Sequence, residues 1–319
     1  MQKVGVIGLG TMGRPIARNI RQAGFDVTVY DLNPKVVEYL VGFGAVAAER
    51  PSDVAMGADL VISVLPDGPD VLQTMLGEEG VYHAAREGMI HTDFSTVHPK
   101  VSLELFEEGK KRGVRVLDSA MARGPAEAET GKLVLMIGGE KADIDAAMPA
   151  LSKVASDIHH CGPNGTGATM KLINNMLGGV IAAANAESLL LGVKAGLSPE
   201  IMCQVLSTTG GNSTMLHGMI KNKVFKRDFQ PAGFALDLQY KDARLALELA
   251  ADVGASMPVG GLVQQLRTSA RGKGMGRWDT SAIVTVWEEL DGTILKATDA
   301  PATDAPATDA PATDAPATE

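Results

Sequence analysis

The stretch KVGVIGLGTMGRPIARNIRQAGFDVTVYD, residues 3–31, decides the fold. An apolar run at residues 4–7 is too short for a helix, and glycines follow it directly. Residues 12–23 then have the apolar spacing of a helix, and residues 27–30 form a second strand-like run that ends at Asp31. The order strand, glycine turn, helix, strand is typical of the unit that binds a dinucleotide.

The three glycines of this stretch have separate expected roles. Gly8 permits the tight turn, Gly10 lets the backbone approach a pyrophosphate, and Gly13 lets the helix pack close to the strand. The phosphates are expected on free N–H groups at the positive end of the helix. Asp31 lies where a carboxylate accepts hydrogen bonds from ribose hydroxyls and repels a 2′-phosphate. Because none of the next three residues is arginine, the sequence predicts NAD as the cofactor in preference to NADP.

Length and composition predict a protein of two domains. The chain has 319 residues, 45% of them hydrophobic, and a formal charge of −9. From residue 297 it repeats ATDAP, with five acids and no base, so the remainder has 38 − 5 = 33 acids against 29 bases. A proline every five residues and no apolar period predict that residues 294–319 are disordered. The mildly acidic body has no basic footprint for nucleic acid.

The same composition indicates the compartment. With only Cys161 and Cys203, no disulfide framework is expected. The first predicted strand begins at residue 3, so we expect no signal peptide. The most apolar helical stretch, residues 169–195, is interrupted by polar and charged residues such as Lys171 and Glu187. We therefore expect a cytoplasmic protein that does not bind a membrane.

Strand-like and helical stretches alternate through the first half of the chain. Strands are expected at residues 60–65, 89–94, 114–117, 133–137 and 158–160, with helices at 34–41, 69–76, 99–112 and 142–152. This alternation predicts an α/β Rossmann-type doubly wound sheet over residues 1–164. The loops at residues 65–66, 95–96 and 121–125 are expected at the carboxyl edge of the sheet, where ligands bind.

From residue 167 onward the pattern is helical. Helices are expected at residues 168–195, from Pro199 with Ser198 as its N-cap, and at residues 234–253. An all-α C-terminal domain over residues 165–293 follows. Its long, alanine-rich helices with few aromatic residues predict packing against a partner chain.

A second informative run is GPNGTGATMKLINNMLGG, residues 162–179. Lys171, Asn174, Asn175 and Gly178 have the spacing i, i+3, i+4, i+7 and share one helix face. A solvated lysine is the common alternative, but an exposed face carries mixed charges and a core face is apolar, whereas this face is amide and ammonium. Two glycines inside a helix cost about 1 kcal/mol each relative to alanine. We interpret them as places where a ligand or another backbone comes close.

In combination these motifs resemble those of the β-hydroxyacid dehydrogenases, over residues 3–290. The matching segments are GLGTMG at residues 8–13, Leu65-Pro66, DFST at 93–96, the run at 162–175 and Lys241-Asp242. Several motifs in the family's order are far more specific than any one of them.

The resemblance implies an NAD-dependent oxidoreductase that interconverts a small 3-hydroxy acid and its semialdehyde. It likewise implies a homodimer or homotetramer. Lys171 would be the acid/base and Asn175 would orient the substrate. A lysine with a depressed pKa accepts the hydroxyl proton while nicotinamide carries the hydride, and in reduction its ammonium donates the proton. The cofactor would be lined by Thr11, Met12, Asp31, Leu65, Pro66 and Thr96, with Lys241 closing over it.

One motif departs from the family. Where its members have a Ser-Gly-Gly segment that holds the substrate carboxylate, this chain has Ala122, Arg123 and Gly124. Ala122 has no side-chain donor, whereas Arg123 has a fork suited to a carboxylate, phosphate or sulfonate. We expect Arg123 and Gly124 to bind the small anionic substrate together with Asn174 and Gly178, so that loss of Arg123 raises KM at least tenfold.

Three alternatives stay open. With arginine at position 123, the segment resembles that of the family branch containing sulfolactaldehyde reductase. Reduction of sulfolactaldehyde is therefore a second candidate function. An imine reductase shares the architecture but typically lacks the lysine. A non-catalytic NAD-binding sensor is disfavoured because a sensor needs no proton donor such as Lys171. No metal is expected, since adjacent residues in His159-His160-Cys161 point to opposite faces of a strand.

Overall fold

The computed structural model describes residues 1–297, so the predicted disordered tail lies outside the described residues from 298 onward. Eight strands lie in the first half of this part of the chain: β1 (Lys3–Ile7), β2 (Asp26–Tyr30), β3 (Val46–Ala47), β4 (Leu60–Ser63), β5 (Ile90–Asp93), β6 (Arg115–Ala122), β7 (Leu133–Gly138) and β8 (Ala155–Gly162). The helices between them are α1 (Gly13–Gln22), α2 (Pro34–Val41), α3 (Pro51–Ala55), α4 (Gly68–Leu76), α5 (Val81–Ala84), α6 (Pro99–Lys111), α7 (Pro125–Glu129) and α8 (Lys141–Leu151).

The strands form a single sheet in the order β3-β2-β1-β4-β5-β6-β7-β8. Strands β1 to β6 are parallel, β7 is antiparallel to β6, and β8 is parallel to β7. The order reverses at β1, which has β2 on one side and β4 on the other, so the cleft between β1 and β4 is the topological switch point where dinucleotides bind. This arrangement confirms the predicted doubly wound, mostly parallel sheet.

Both faces of the sheet are covered by helices. Along β4, Leu60 and Ile62 belong to one apolar cluster while Val61 belongs to the other. Successive strand residues point to opposite faces, so a strand buried on both sides must be apolar at every position. This explains why the strand at residues 60–63 could be recognised from its unbroken apolar run.

Strand β6 is longer than the predicted strand at residues 114–117. Residues 118–122 continue it by pairing with β7, from Asp118 opposite Gly138 to Ala122 opposite Val134. The sequence there is DSAMA, which lacks the β-branched residues typical of a strand. The extension therefore depends on its antiparallel partner.

The second half of the described chain is helical. It contains α9 (Thr166–Lys194), α10 (Pro199–Leu206), a π-helix (Leu216–Val224), α11 (Leu236–Val253), α12 (Pro258–Gly272), a short 3₁₀-helix (Thr280–Ile283) and α13 (Val284–Asp291). Helix α9 packs on β6–β8 and on α10–α13. By length and composition α9 is a candidate membrane span, but this is weak evidence because the core helix of a soluble protein passes the same test.

Candidate active site

The glycine turn after β1 has the geometry that a dinucleotide needs. Gly8 has a φ of +84°, and an added Cβ would lie 2.1 Å from the Val64 carbonyl oxygen. A Cβ on Gly13 would lie 1.8 Å from the Gly8 carbonyl oxygen, whereas one on Gly10 would meet nothing within 4 Å. No side chain caps α1 at Met12, and its first turn carries no acid. These residues fit a dinucleotide, because the open Gly10 and the uncapped helix end provide space and N–H donors for a phosphate.

Asp31 lies directly after β2, beside this turn. Its carboxylate accepts hydrogen bonds from the N–H groups of Leu9 (2.6 Å) and Asn33 (2.8 Å). Both oxygens are therefore oriented by the backbone at the edge of the cleft. Thr11 is exposed and Met12 half-buried at the same turn.

The opposite wall of the cleft consists of the loops after β4 and β5. The Leu65 N–H donates to Ser95 Oγ (2.9 Å), which joins the two loops. Lys241, from α11, donates to the carbonyl oxygens of Pro66 (2.9 Å) and Thr96 (2.6 Å). The structure thus brings Leu65, Pro66, Thr96 and Lys241 together, and Lys241 connects the helical domain to the edge of the sheet.

Lys171 and Asn175 lie beside Asp242, the neighbour of Lys241 on α11. Asn175 Nδ2 donates to Asp242 Oδ2 (2.6 Å), and Asn175 Oδ1 accepts from Asn174 Nδ2 (3.0 Å). Burial lowers the pKa of Lys171; the negative charge of Asp242 opposes this effect and the positive charge of Lys241 adds to it. A lowered pKa favours the neutral amine, which is the form that accepts a proton in acid/base catalysis.

The next turns of α9 lead into a cavity of about 440 Å³ that Asn174, Asn175 and Gly178 help to line. A Cβ on Gly178 would meet nothing within 4 Å, but one on Gly179 would lie 2.0 Å from Arg267 Nη2. The glycine pair was the signal in the sequence that something approaches this helix. The group that approaches is a side chain of α12, about ninety residues away in sequence.

The residues that sequence reasoning missed come from α11 and α12. Gln239 Nε2 donates to the Asn175 carbonyl oxygen (3.1 Å), and Gln239 Oε1 accepts from Thr280 Oγ1 (3.2 Å). Arg267 is 1% exposed, and Asp242 is 3% exposed. None of these residues stands in a local motif that marks it as part of a site, apart from the Lys-Asp pair that contains Asp242.

Arg123 makes its contacts with a different part of the molecule. It has a φ of +73°, and its guanidinium donates to the Lys132 carbonyl oxygen (2.6 Å) and Ser156 Oγ (2.8 Å). It also forms an ion pair with Asp157 (3.0 Å), while the Gly124 N–H donates to Glu127 Oε2 (3.0 Å). These partners belong to β8 and to the segments around α7 and β7. The structure therefore does not join the Arg123 guanidinium to the group around Lys171.

Asp118 fixes the start of the helix that carries Lys171. Its carboxylate oxygens accept hydrogen bonds from the N–H groups of Gly165 (2.7 Å) and Ala168 (2.8 Å). Burial raises the pKa of Asp118 to about 6. The sheet thereby holds the first turn of α9 in place.

Within residues 1–297 there is no group of three or more His, Cys, Asp or Glu side chains that could hold a metal ion. His160, from the candidate cluster in β8, lies 2.9 Å through Nε2 from the Gly139 carbonyl oxygen.

Two family models match the chain, one for each half. The model described as the NAD binding domain of 6-phosphogluconate dehydrogenase covers residues 3–162. The model described as "NAD-binding of NADP-dependent 3-hydroxyisobutyrate dehydrogenase" covers residues 165–287.

Individual relatives match over nearly their whole length. The chain is 36% identical to 2-(hydroxymethyl)glutarate dehydrogenase of Eubacterium barkeri, over 91% of this chain and 96% of that protein. It is 34% identical to 3-sulfolactaldehyde reductase of Escherichia coli strain K12, over 89% and 95%. The structure of Mycobacterium tuberculosis 3-hydroxyisobutyrate dehydrogenase with L-serine superimposes with a TM-score of 0.85 at 29% identity, covering 90% of this chain and 99% of that one.

The fold and the cleft define a nicotinamide-dependent oxidoreductase that acts on a hydroxyl or aldehyde group. The chain belongs to the β-hydroxyacid dehydrogenase family, with 3-hydroxyisobutyrate dehydrogenase among its relatives.

Proposed function

We propose that this protein is an NAD-dependent dehydrogenase that interconverts a small 3-hydroxy acid and its semialdehyde. The observation that carries the proposal is the cluster of Lys171, Asn175 and Asp242. It holds a lysine of lowered pKa next to Lys241, which bonds to both loops of the cofactor cleft. The names of the relatives, which act on small hydroxy acids or an aldehyde, support the same reaction class.

In this proposal the chain contributes proton transfer and orientation. Bound nicotinamide would supply hydride chemistry. Neutral Lys171 accepts the hydroxyl proton during oxidation, and its ammonium returns that proton to the carbonyl oxygen during reduction. Asn175 is fixed by Asp242 on one side and Asn174 on the other, so its amide is oriented before substrate arrives.

The preference for NAD rests on Asp31. Its carboxylate is held by two backbone N–H groups at the end of β2, where the ribose of a dinucleotide binds in this fold. A fixed negative charge there repels the 2′-phosphate of NADP. We propose that NAD is the better cofactor by at least tenfold in kcat/KM.

The test is a dehydrogenase screen with both cofactors. The substrates are 3-hydroxyisobutyrate, 2-(hydroxymethyl)glutarate, L-serine and, in the reductive direction, sulfolactaldehyde. We expect turnover with NAD of at least one hydroxy acid. A protein that binds NADH tightly but turns over none of them is better described as a sensor.

A second candidate, sulfolactaldehyde reduction, is favoured by the backbone of Arg123. A non-glycine residue with positive φ is uncommon and is often held so at functional sites. If the guanidinium leaves Asp157 to bind a sulfonate, Arg123→Ala raises KM for the sulfonated aldehyde at least tenfold. Arg123→Lys then rescues only partly, because ammonium lacks the planar fork. An unchanged KM in both variants would mean that Arg123 forms its ion pair with Asp157 and does not bind the substrate.

We also propose a homodimer or homotetramer. Met170, Ile173 and Leu177 lie on one side of α9 and are 39%, 52% and 56% exposed. Exposed apolar side chains in a stripe are typical of an interface. A monomer in sedimentation at micromolar concentration would contradict this assembly.

A further inference from the structure

The cavity beside α9 has a chemical character of its own. The elements that line it include α9 through Asn175 and Gly179, α11 through Gln239, and α12 through Arg267. Among the described residues that line it there is no aspartate or glutamate. A cavity with one cation, several amides and no carboxylate in its wall suits an anion.

Arg267 is the cation of this cavity, and the protein pairs its donors incompletely. The side chain is 1% exposed, and its Nε, which is buried, has no hydrogen-bond partner within residues 1–297. Nη1 has a long hydrogen bond of 3.4 Å to Gln264 Oε1, and Nη2 lies against Gly179. Burial lowers the pKa of Arg267 to about 10, so it still carries its charge at neutral pH. A guanidinium has five N–H donors, and leaving them buried without partners costs free energy.

The surrounding charges do not compensate for this cation. Asp242 is the carboxylate whose charge reaches both Arg267 and Lys171, and its Oδ2 already accepts a hydrogen bond from Asn175. Lys241 also lies 3.5 Å from Asp242. Arg267, Lys241 and the protonated form of Lys171 thus share one carboxylate, and the site gains stability when a bound anion adds negative charge.

The position of Arg267 separates it from the reacting carbon. Gly179 lies eight residues after Lys171 on α9, which is about 12 Å along the helix axis at about 1.5 Å per residue. Helical side chains point back toward the N-terminus, so the Lys171 ammonium is displaced further from Gly179. The acid group next to the reacting carbon stays close to Lys171, so the anion at Arg267 must be a different group.

We infer that Arg267 binds a second carboxylate at the far end of the substrate, so that the enzyme's substrate class is a hydroxy dicarboxylic acid. This inference rests on the proposed dehydrogenase function. Asn175 and Gln239 line the same cavity as Arg267, and Asn175 also bonds to Asp242 in the Lys171 cluster, so the cavity adjoins that cluster. Arg267 is then a specificity-determining residue that acts through substrate binding and takes no part in proton transfer.

The test compares two compounds of nearly the same shape that differ in charge at one end. The probes are 2-(hydroxymethyl)glutarate and the same compound with its C5 carboxylate converted to the primary amide. We expect the wild-type enzyme to oxidise the dicarboxylate with a kcat/KM at least a hundredfold above that of the amide. Arg267→Gln should reduce this ratio below threefold through KM for the dicarboxylate, with kcat/KM for the amide and the Kd of NAD unchanged. Arg267→Lys should restore part of the ratio.

Arg271→Gln is the matched control. Arg271 lies one turn further along α12, on the surface, paired with Asp237 and placed over the Tyr240 ring. Its loss should leave the ratio of the two probes at the wild-type value.

A binding measurement separates this inference from the proposed function. Calorimetry with glutarate on the protein–NAD complex should show binding to the wild type and at least a tenfold weaker Kd for Arg267→Gln. A wild-type enzyme that oxidises both probes equally well overturns the inference and leaves the dehydrogenase proposal standing. Equal glutarate affinity in wild type and variant overturns it even if no hydroxy acid is turned over. If Arg267→Gln does not fold, the wild-type ratio and Arg267→Lys decide.

Discussion

The two halves of the cleft are built in opposite ways. In the cofactor half, the glycine turn and Asp31 lie within 29 residues of sequence and are joined by backbone N–H groups, such as Leu9 to Asp31. In the substrate half, Asn175 bonds to Asp242 and Gly179 contacts Arg267, so α9, α11 and α12 each supply side chains. The first half recognises what all dinucleotides share, while the second can differ between relatives with the same fold.

The two close-packed glycines illustrate the same difference. Gly13 approaches the carbonyl oxygen of Gly8, five residues earlier, whereas Gly179 approaches the guanidinium of Arg267, eighty-eight residues later. A local contact leaves a fixed spacing in the sequence, and a distant contact leaves only an unexplained glycine. Substitutions that disturb the cofactor half or the substrate half alone therefore test whether the two halves act separately.

The largest effect is expected for Lys171→Ala. Loss of the proton acceptor should lower kcat by about 10²–10⁴, the range usual for a general acid/base. The Kd of NAD, measured by fluorescence of the bound reduced cofactor, should stay within a factor of about two because the glycine turn is untouched. If Lys171→Ala retains more than a tenth of the wild-type kcat, Lys171 is not the acid/base of the reaction.

A pair of glycine variants should disturb the cofactor half alone. Gly10→Ala adds a methyl group where only the cofactor can meet it, so NAD should bind at least tenfold more weakly while the free energy of unfolding is unchanged. Gly13→Ala forces a Cβ against a backbone oxygen and should also lower the free energy of unfolding by about 1–3 kcal/mol. Urea titration and cofactor titration of both variants separate the two effects. Equal NAD affinity in wild type and Gly10→Ala would place the phosphates elsewhere.

A smaller change is expected from Asp31→Asn. The amide oxygen can still accept a hydrogen bond from Leu9, but the negative charge is gone. The ratio of kcat/KM with NAD to that with NADP should fall from at least tenfold to about unity. An unchanged ratio would mean that charge at residue 31 does not select the cofactor.

The smallest effect is a shift in pH dependence. Oxidation requires neutral Lys171, so kcat/KM for oxidation should rise with pH. Because burial lowers the pKa of Lys171, the midpoint of this rise should lie below the pKa of an ordinary lysine, about 10.4. Asp242 opposes that effect by favouring the charged form. Asp242→Asn should therefore move the midpoint of the rise to lower pH. A midpoint that moves to higher pH would show that Asp242 does not stabilise the Lys171 ammonium.

Sequence reasoning was most accurate for elements with strong local signals. Helix α2 begins and ends at the predicted residues because Asn33 caps it and Pro34 starts it. Sequence reasoning missed the short elements α3, α5 and α7, which have only four or five residues, and the extension of β6. These depend on what packs against them, and no period is detectable over one helical turn.

By itself the sequence determined the doubly wound sheet, the position of the dinucleotide turn, and a polar face of α9 with Lys171 and Asn175. All three are signalled by residue patterns within short stretches of the chain, where spacing is enough to predict local geometry. Only the tertiary structure decided that the Arg123 guanidinium pairs with Asp157, and that Arg267 is buried beside Gly179 with its Nε unpartnered among the described residues. Burial and pairing of a charge depend on elements distant in sequence, and two arginines that look alike in a sequence acquire their difference only when the helices pack.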